Sequence, residues 1–303
     1  MNKIPVWKTV GYAYSFTFGH LGTIIGLIWI PMLAFTVGNF FVMKPYYEAM
    51  ASADGTLITG SPLILYVFAF EAVALLVLAM IGVAITQEAL GLRKPGPVLA
   101  HFALGATEFR VLGGFLILVG LWLGFLLAYV LGATVIGTII GLVLRGVGGD
   151  ASIAAALGAA AAVAGLLAVI YAMVRLSFLV VPATVAEGRV GIIRSWVLTG
   201  GNFWRIFLIA LCTLLPIMCL LIAIQVVIVG PDALVPPLDA LKNPAKQALF
   251  AAKQSRAMLE HLPLVMALSF LASPILNGLV FAPSAVAYRA LVPPGSEPVA
   301  PTA

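Results

Sequence analysis

The chain has 303 residues, of which 63% are hydrophobic and only 9% are charged, and its formal net charge is +5. A soluble domain carries about a quarter charged residues, so this composition excludes an ordinary water-soluble protein. Six apolar runs are long enough for a helix to cross a hydrocarbon core about 30 Å thick. They predict an all-α, polytopic membrane bundle with spans at about Leu21–Met43, Leu63–Thr86, Val111–Leu144, Ala154–Val180, Ile206–Val229 and Leu262–Ala287.

The segment before the first span, Ile4–Phe18, mixes aromatic residues with Lys8. This mixture is typical of a short helix at the headgroup level. Val98–Glu108 and Val190–Gly201 occupy the same place before the third and fifth spans. The chain therefore predicts one transmembrane domain, 1–292, of three parallel repeats of about ninety residues (about 1–94, 95–188 and 189–292), each an interfacial helix followed by a hairpin.

A polar residue stands at the entry of each odd-numbered span: His20, Glu108 and Asn202. We expect these side chains to cap helix ends where backbone N–H groups lack partners. A shared ligand site built from the three is the alternative.

The distribution of Lys and Arg predicts the orientation, because these residues accumulate in cytoplasmic loops. With the N-terminus inside, ten of the 16 basic residues lie on the inner side, and four of the other six lie in one long loop, 230–261. Both termini are therefore expected in the cytosol. Membrane lipids are expected partners of the basic loops, whereas nucleic acid is not, because no basic soluble face is present.

Glu71 stands about eight residues, or ~12 Å, from the outer end of the second span. A carboxylate at this depth is costly unless it is protonated, paired or in a wet cavity. It forms a candidate intramembrane polar site with Asn277 and Gln225, which would suit a proton or cation. The alternative for Glu71 is a carboxyl that forms a hydrogen bond to a neighbouring helix or is reached by the side chain of Lys44 or Arg145. The alternative for the neutral residues Asn277 and Gln225 is that they join helices by hydrogen bonds.

Three arginines are candidate contacts for lipid headgroups: Arg175 at the inner end of the fourth span, and Arg194 and Arg205, which both precede the fifth. Arg175 could equally reach backbone carbonyls. Pro182 and Pro283 are expected to kink or end the even-numbered helices.

Glycines recur four residues apart in the third span, at Gly120/Gly124 and Gly137/Gly141. Small residues let helices approach closely, so we expect this span to pack against the alanine-rich stretch Ala154–Ala164.

The outer loop is rich in helix-forming residues from Pro244 onward. It predicts a helix on the outer headgroups or, as an alternative, a helix that docks a partner. Residues 293–303 are of low complexity, and we expect this tail to be disordered.

One stretch resembles a known group of proteins. An Arg, a Pro and an acidic residue are followed by a Ser-Trp helix and a Gly-Asn-Phe-Trp entry; these are Arg175, Pro182, Glu187, Ser195, Trp196, Gly201, Asn202, Phe203 and Trp204. The pattern resembles bacterial membrane proteins like the membrane domain of glycerophosphodiester phosphodiesterase. The resemblance implies a bacterial inner-membrane location. The phosphodiesterase activity is not carried over, because in that family it belongs to a separate soluble barrel domain.

No nucleophile–base pair, metal-ligand spacing or phosphate-binding loop is visible in the sequence. Cys212 and Cys219 lie on one apolar span and are read as packing residues, and no cofactor is expected. The first hypothesis is a non-catalytic scaffold or accessory subunit that organises a partner membrane protein or lipid. The second is a small carrier or lipid-handling permease in which Glu71 lines the cavity, and a membrane-embedded enzyme comes third.

Overall fold

The computed structural model describes residues 3–52, 62–93, 102–148, 150–238 and 243–292. All regular structure in these residues is helical. The helices are α1 (Val6–Gly19), α2 (Leu21–Ser52), α3 (Pro62–Ala89), α4 (Ala106–Gly146), α5 (Ala151–Ser177), α6 (Val180–Glu187), α7 (Ile192–Leu198), α8 (Phe203–Val229), α9 (Pro231–Leu234) and α10 (Pro244–Leu291).

Six helical segments are long and apolar enough to cross a membrane: α2, α3, α4, the nearly continuous α5 and α6, α8, and α10. Each contains one of the predicted spans or nearly all of it. The predicted all-α polytopic bundle is therefore confirmed. The third span also exceeds the length of one crossing, as expected, because α4 has 41 residues.

The expected outer surface helix is not a separate element. Asn243 caps α10 by accepting hydrogen bonds from the N–H groups of Ala245 and Lys246, and the helix then continues to Leu291. Arg256 donates two hydrogen bonds, of 3.2 and 3.1 Å, to the Ala51 carbonyl at the end of α2. The helix from Pro244 is thus confirmed, but packing against α2 makes it an extension of the sixth span.

The tightest packing lies at one end of the bundle, which we call the entry face: residues 3–20, 88–93, 175–206 and 279–292. Tyr12 donates to the Ala89 carbonyl, and Arg289 donates to the Leu90 carbonyl. Most of the buried core lies here or one to two turns away, including Ile4, Ile24, Leu27, Ile28, Ile81, Ile85, Val111, Leu179, Ile206, Ile209, Ala282 and Ala285. Both ends of the described chain therefore lie on the same face.

The long hairpin of α4 and α5 projects from this core. From Val119 to Phe178, no side chain that the structure describes is buried. The two helices pack on each other, as at Gly165, where a Cβ would lie 3.1 Å from the Tyr129 ring. The expected glycine contact is wrong, however. A Cβ at Gly120, Gly124, Gly137 or Gly141 would meet nothing within 4 Å, so none of these glycines is a point of close contact between α4 and α5.

The structure describes only part of the three segments that were expected to lie at the membrane interface. α1 is confirmed as a helix, but it is wedged against α8 and α10, with Thr9, Ala13, Phe16 and Thr17 buried. In the second repeat, residues 94–101 lie outside the described residues, and α4 begins at Ala106. The third segment contains α7. The tail, 293–303, also lies outside the described residues, and the threefold repeat stays a prediction.

The three entry residues have different roles. Glu108 is a cap, as predicted, because its carboxylate accepts a 2.9 Å hydrogen bond from the Gly105 N–H. His20 instead closes the end of α1, since its Nδ1 lies 3.2 Å from the Phe16 carbonyl oxygen. Asn202 stands at the N-cap position of α8 but makes no side-chain cap bond. The three do not form one site.

Candidate functional site at the entry face

Arg175, the last basic residue of α5, is held in place by α7. Its guanidinium carbon lies 3.9 Å from the centroid of the Trp196 ring, a distance at which cation–π attraction is favourable. It donates to the Trp196 carbonyl at 2.6 Å and to the Tyr171 hydroxyl at 3.0 Å. Of the two interpretations of Arg175, contact with a backbone carbonyl is therefore observed. Among the described residues, no carboxylate lies within ion-pair distance of this charge.

A break between α5 and α6 creates the space that α7 fills. Pro182 lies in the first turn of α6; it has no N–H and its ring opposes the carbonyl four residues earlier, so the helix is interrupted at residues 178–179. Ser195 provides hydrogen-bond partners for backbone groups on both sides of the break. Its hydroxyl accepts a 3.1 Å hydrogen bond from the Leu179 N–H and donates a 2.8 Å bond to the Arg175 carbonyl. Pro182 thus interrupts its helix as predicted, whereas α10 continues beyond Pro283.

The turn between α6 and α7 is equally constrained. Thr184 accepts a 3.0 Å hydrogen bond from the Gly191 N–H. A Cβ at Gly191 would lie 2.7 Å from the Ala183 Cβ and 2.9 Å from the Val180 carbonyl oxygen. Only glycine fits this close approach of two backbones.

Glu187 joins this turn to α10. Its side chain is only 6% exposed. One carboxylate oxygen lies 2.7 Å from Arg194 and 3.1 Å from the Tyr288 hydroxyl, and the other lies 3.0 Å from Arg189. Arg194, expected to contact lipid headgroups, is therefore engaged in an ion pair within the protein.

Arg205, in the first turn of α8, anchors the start of the chain. It donates a 2.8 Å hydrogen bond to the Ile4 carbonyl, and the Asn202 carboxamide oxygen accepts a 3.1 Å bond from the Ile4 N–H. Ten residues further along both segments, Tyr14 donates to the Cys212 carbonyl. The N-terminal segment therefore runs beside the start of α8.

A groove of about 810 Å³ opens beside these contacts, between α5, α8 and the start of the chain. Lys3 and Arg205 supply positive charge, and Tyr171 supplies a hydroxyl group. The remaining lining is apolar, aromatic or glycine: Leu167, Ala168, Ile170, Gly201, Phe203, Trp204 and Phe207. Of the three predicted headgroup arginines, Arg205 is the one that lines this groove.

The residues of the candidate intramembrane polar site are not brought together. Glu71 lies on the exposed side of α3, and it does not line the groove between α5, α8 and the start of the chain. Asn277 donates to the Ser273 carbonyl of its own helix, and Gln225 is half-buried on α8. No hydrogen bond joins any two of the three described side chains.

The carboxylate of Asp150 lies between α4 and α5, at the end of the hairpin away from the entry face and outside the spans. Asp150 caps α5 by accepting a 2.9 Å hydrogen bond from the Ser152 N–H. This bond, together with the Ser152 side chain, lowers the pKa of Asp150 below its usual value. The Asp150 carboxylate thus acts as the N-terminal cap of α5. Among the described residues, no three His, Cys, Asp or Glu side chains are grouped as metal ligands.

The chain was also compared with known proteins. It matches no protein-family model, no curated protein and no solved structure. The resemblance to the glycerophosphodiester phosphodiesterase membrane-domain group therefore stays a prediction. The residues that carry it nevertheless have clear roles in this chain, because Arg175, Glu187 and Ser195 are the centres of the interactions at the entry face.

Sequence reasoning missed the groups that complete this region. Lys3 and Tyr171 were not predicted as site residues, and Ser195 and Glu187 entered only as parts of the resemblance. One signal was available: a proline seven residues after an arginine at the end of a span predicts a helix break whose backbone groups need hydroxyl or amide partners. Ser195 and Thr199 are such hydroxyl residues in the next segment.

Proposed function

We propose that the chain is a non-catalytic membrane scaffold or accessory subunit whose α4–α5 hairpin packs against a partner membrane protein. The observation that carries the proposal is the absence of any buried side chain from Val119 to Phe178 within the described residues. The helices α3, α7 and α8 contact this hairpin but bury none of its described side chains from Val119 to Phe178, whereas α2, α3 and α10 pack on one another.

The exposed face of α4 has the composition of a helix–helix interface. Gly120, Gly124 and Ala128 recur every four residues, are all exposed, and so share one side of the helix. A Cβ at either glycine would meet nothing within 4 Å. In lipid, helices associate through small residues because backbones can then approach closely. This pattern supports a protein partner for the hairpin, in addition to the surrounding lipid.

The carrier hypothesis receives less support. It required Glu71 to face a cavity together with Asn277 or Gln225. Glu71 instead lies on the exposed side of α3, and Asn277 donates to the Ser273 carbonyl of its own helix.

We also propose a bacterial inner-membrane location with the entry face in the cytosol. The supporting observation is the charge of this face, which carries Lys3, Lys8, Arg93, Arg175, Arg189, Arg194, Arg205 and Arg289. Basic residues near the ends of spans accumulate on the cytoplasmic side.

Co-purification tests the scaffold role. The tagged protein is extracted from its native membranes in mild detergent and compared with Gly124→Leu, which adds bulk to the small-residue face, and with Leu126→Phe, a matched control on the other side of α4. We expect a stoichiometric membrane partner with the wild type and the control and a strong loss with Gly124→Leu. A protein that purifies alone, or loses its partner equally in both variants, would contradict the proposal.

A further inference from the structure

We infer that the groove between α5, α8 and Lys3 binds the headgroup and first acyl carbons of an anionic glycerophospholipid. This inference is independent of the proposed partner of the α4–α5 hairpin. It depends on three properties of the groove: an uncompensated positive charge, a set of fixed hydrogen-bond donors, and an apolar wall that continues toward the hydrocarbon.

The positive charge of the groove is not neutralised by the protein. Lys3 and Arg205 line it, and Arg175 adjoins it through the Tyr171 hydroxyl. Within the described residues, no carboxylate lies within ion-pair distance of any of the three. Glu187, in the neighbouring cluster, is already paired with Arg189 and Arg194. A phosphodiester would supply the missing negative charge.

The donors are held in position before a ligand arrives. One nitrogen of Arg205 is fixed on the Ile4 carbonyl, which orients the planar guanidinium and leaves other N–H groups to bind an oxyanion. The Tyr171 oxygen accepts from Arg175, so its own O–H is available to donate. α8 also begins here without a side-chain cap, and the positive end of a helix favours an anion. The non-bridging phosphate oxygens would accept these bonds.

The apolar wall distinguishes a lipid from a soluble phosphate. Leu167 and Ile170 of α5 and Phe207 of α8 line the groove beyond Tyr171, and all three side chains are exposed. Leu167 to Tyr171 spans ~6 Å along the helix, enough for the first few acyl carbons. Trp204, which is 75% exposed, is of the residue type enriched at the headgroup level. A free phosphate would leave this wall uncovered.

Native mass spectrometry of the intact, C-terminally tagged protein tests the inference. Phosphatidylglycerol and phosphatidylcholine are added at equal concentration, and the retained lipid is counted. We expect the wild type to retain phosphatidylglycerol preferentially. Lys3→Gln and Tyr171→Phe should each lower this retention, Lys3→Gln by about fivefold, since one basic residue near a membrane surface contributes about this factor. Arg205 is left intact because it also anchors Ile4.

Lys8→Gln is the matched control, because Lys8 is exposed on α1 five residues from Lys3 but does not line the groove. Its phosphatidylglycerol retention should equal that of the wild type. Equal losses in Lys3→Gln and Lys8→Gln would show unspecific charge attraction and overturn the inference. Equal retention of the two lipids by the wild type would do the same. Displacement of the lipid by millimolar inorganic phosphate would identify a soluble anion as the ligand and would also overturn it.

Discussion

At the scale of single residues, Ser195 is the clearest case of one side chain that determines local structure. It is completely buried and bonds to both sides of the break between α5 and α6. Buried N–H and carbonyl groups that lack hydrogen-bond partners are costly. At a break in a helix, a side chain must therefore replace the backbone partners that the helix no longer provides. The serine hydroxyl both accepts and donates, which is what the two orphaned groups need.

We predict that Ser195→Ala lowers the free energy of unfolding by about 1–3 kcal/mol, because the buried Leu179 N–H loses its partner, whereas the Arg175 carbonyl keeps the Thr199 hydroxyl at 3.2 Å. The measurement is thermal unfolding of the detergent-solubilised protein. Ser177→Ala is the control, since Ser177 is exposed at the end of α5, and such changes usually stay within about 0.5 kcal/mol. Equal stability of the two variants would show that Ser195 does not support the break.

At the scale of elements, Glu187 connects the α6–α7 turn to α10. Its partners come from three places in the chain: Arg189, Arg194 and Tyr288. Gly188, with φ of +66°, ends α6 and turns the chain toward α7, a conformation that favours glycine. The turn, the carboxylate and the tyrosine together fix where α10 ends against α6.

We predict that Glu187→Gln destabilises the protein by about 1–3 kcal/mol, because hydrogen bonds to a charged group contribute about this much and the arginines would lose their counter-charge. Glu88→Gln provides the comparison. Glu88 pairs with Arg93 at 3.5 Å, with both side chains partly exposed, and such pairs contribute about 0–1 kcal/mol. Chemical denaturation of both variants measures the difference. A larger loss for Glu88→Gln would contradict the role given to Glu187.

The elements differ in how far the sequence predicts them. The spans could be predicted because run length is a local property, and Leu63–Thr86 lies within α3. The face on which Glu71 lies could not be predicted, because α3 is apolar all round and its periodicity does not indicate which side packs. The partners of Arg194 could not be predicted either, since Glu187 and Tyr288 meet only in the folded chain. The glycine spacing at Gly137/Gly141 predicts close packing against α5, but a Cβ at either residue would meet nothing within 4 Å, because spacing alone does not indicate which side chains fill an interface.

At the scale of the whole molecule, a packed entry face contrasts with a projecting hairpin. Long-range hydrogen bonds hold the first and last described segments in this face, among them Ile4 to Asn202, Tyr12 to Ala89, and Tyr288 to Glu187. The even number of membrane-crossing helices places both ends on one side of the bundle. The basic loops predict that this side is cytosolic.

Cysteine labelling tests that orientation. Single cysteines are placed at Lys8 on the entry face and at Ser152 at the opposite end of α5; both positions are exposed, and the native Cys212 and Cys219 are replaced by alanine. We expect a membrane-impermeant maleimide added to intact cells to label Ser152→Cys, and to label Lys8→Cys only after lysis. The reverse pattern would place the entry face outside the cell.

Photo-cross-linking on α4 in native membranes tests the central claim, that the exposed hairpin is a docking surface for a partner protein. A photoreactive amino acid is introduced at Gly124, on the small-residue face, or at Leu126, on the other side of the helix. If the hairpin docks a partner protein, we expect one protein adduct of defined mass from position 124 and only lipid adducts from position 126. Lipid adducts alone from both positions would contradict it.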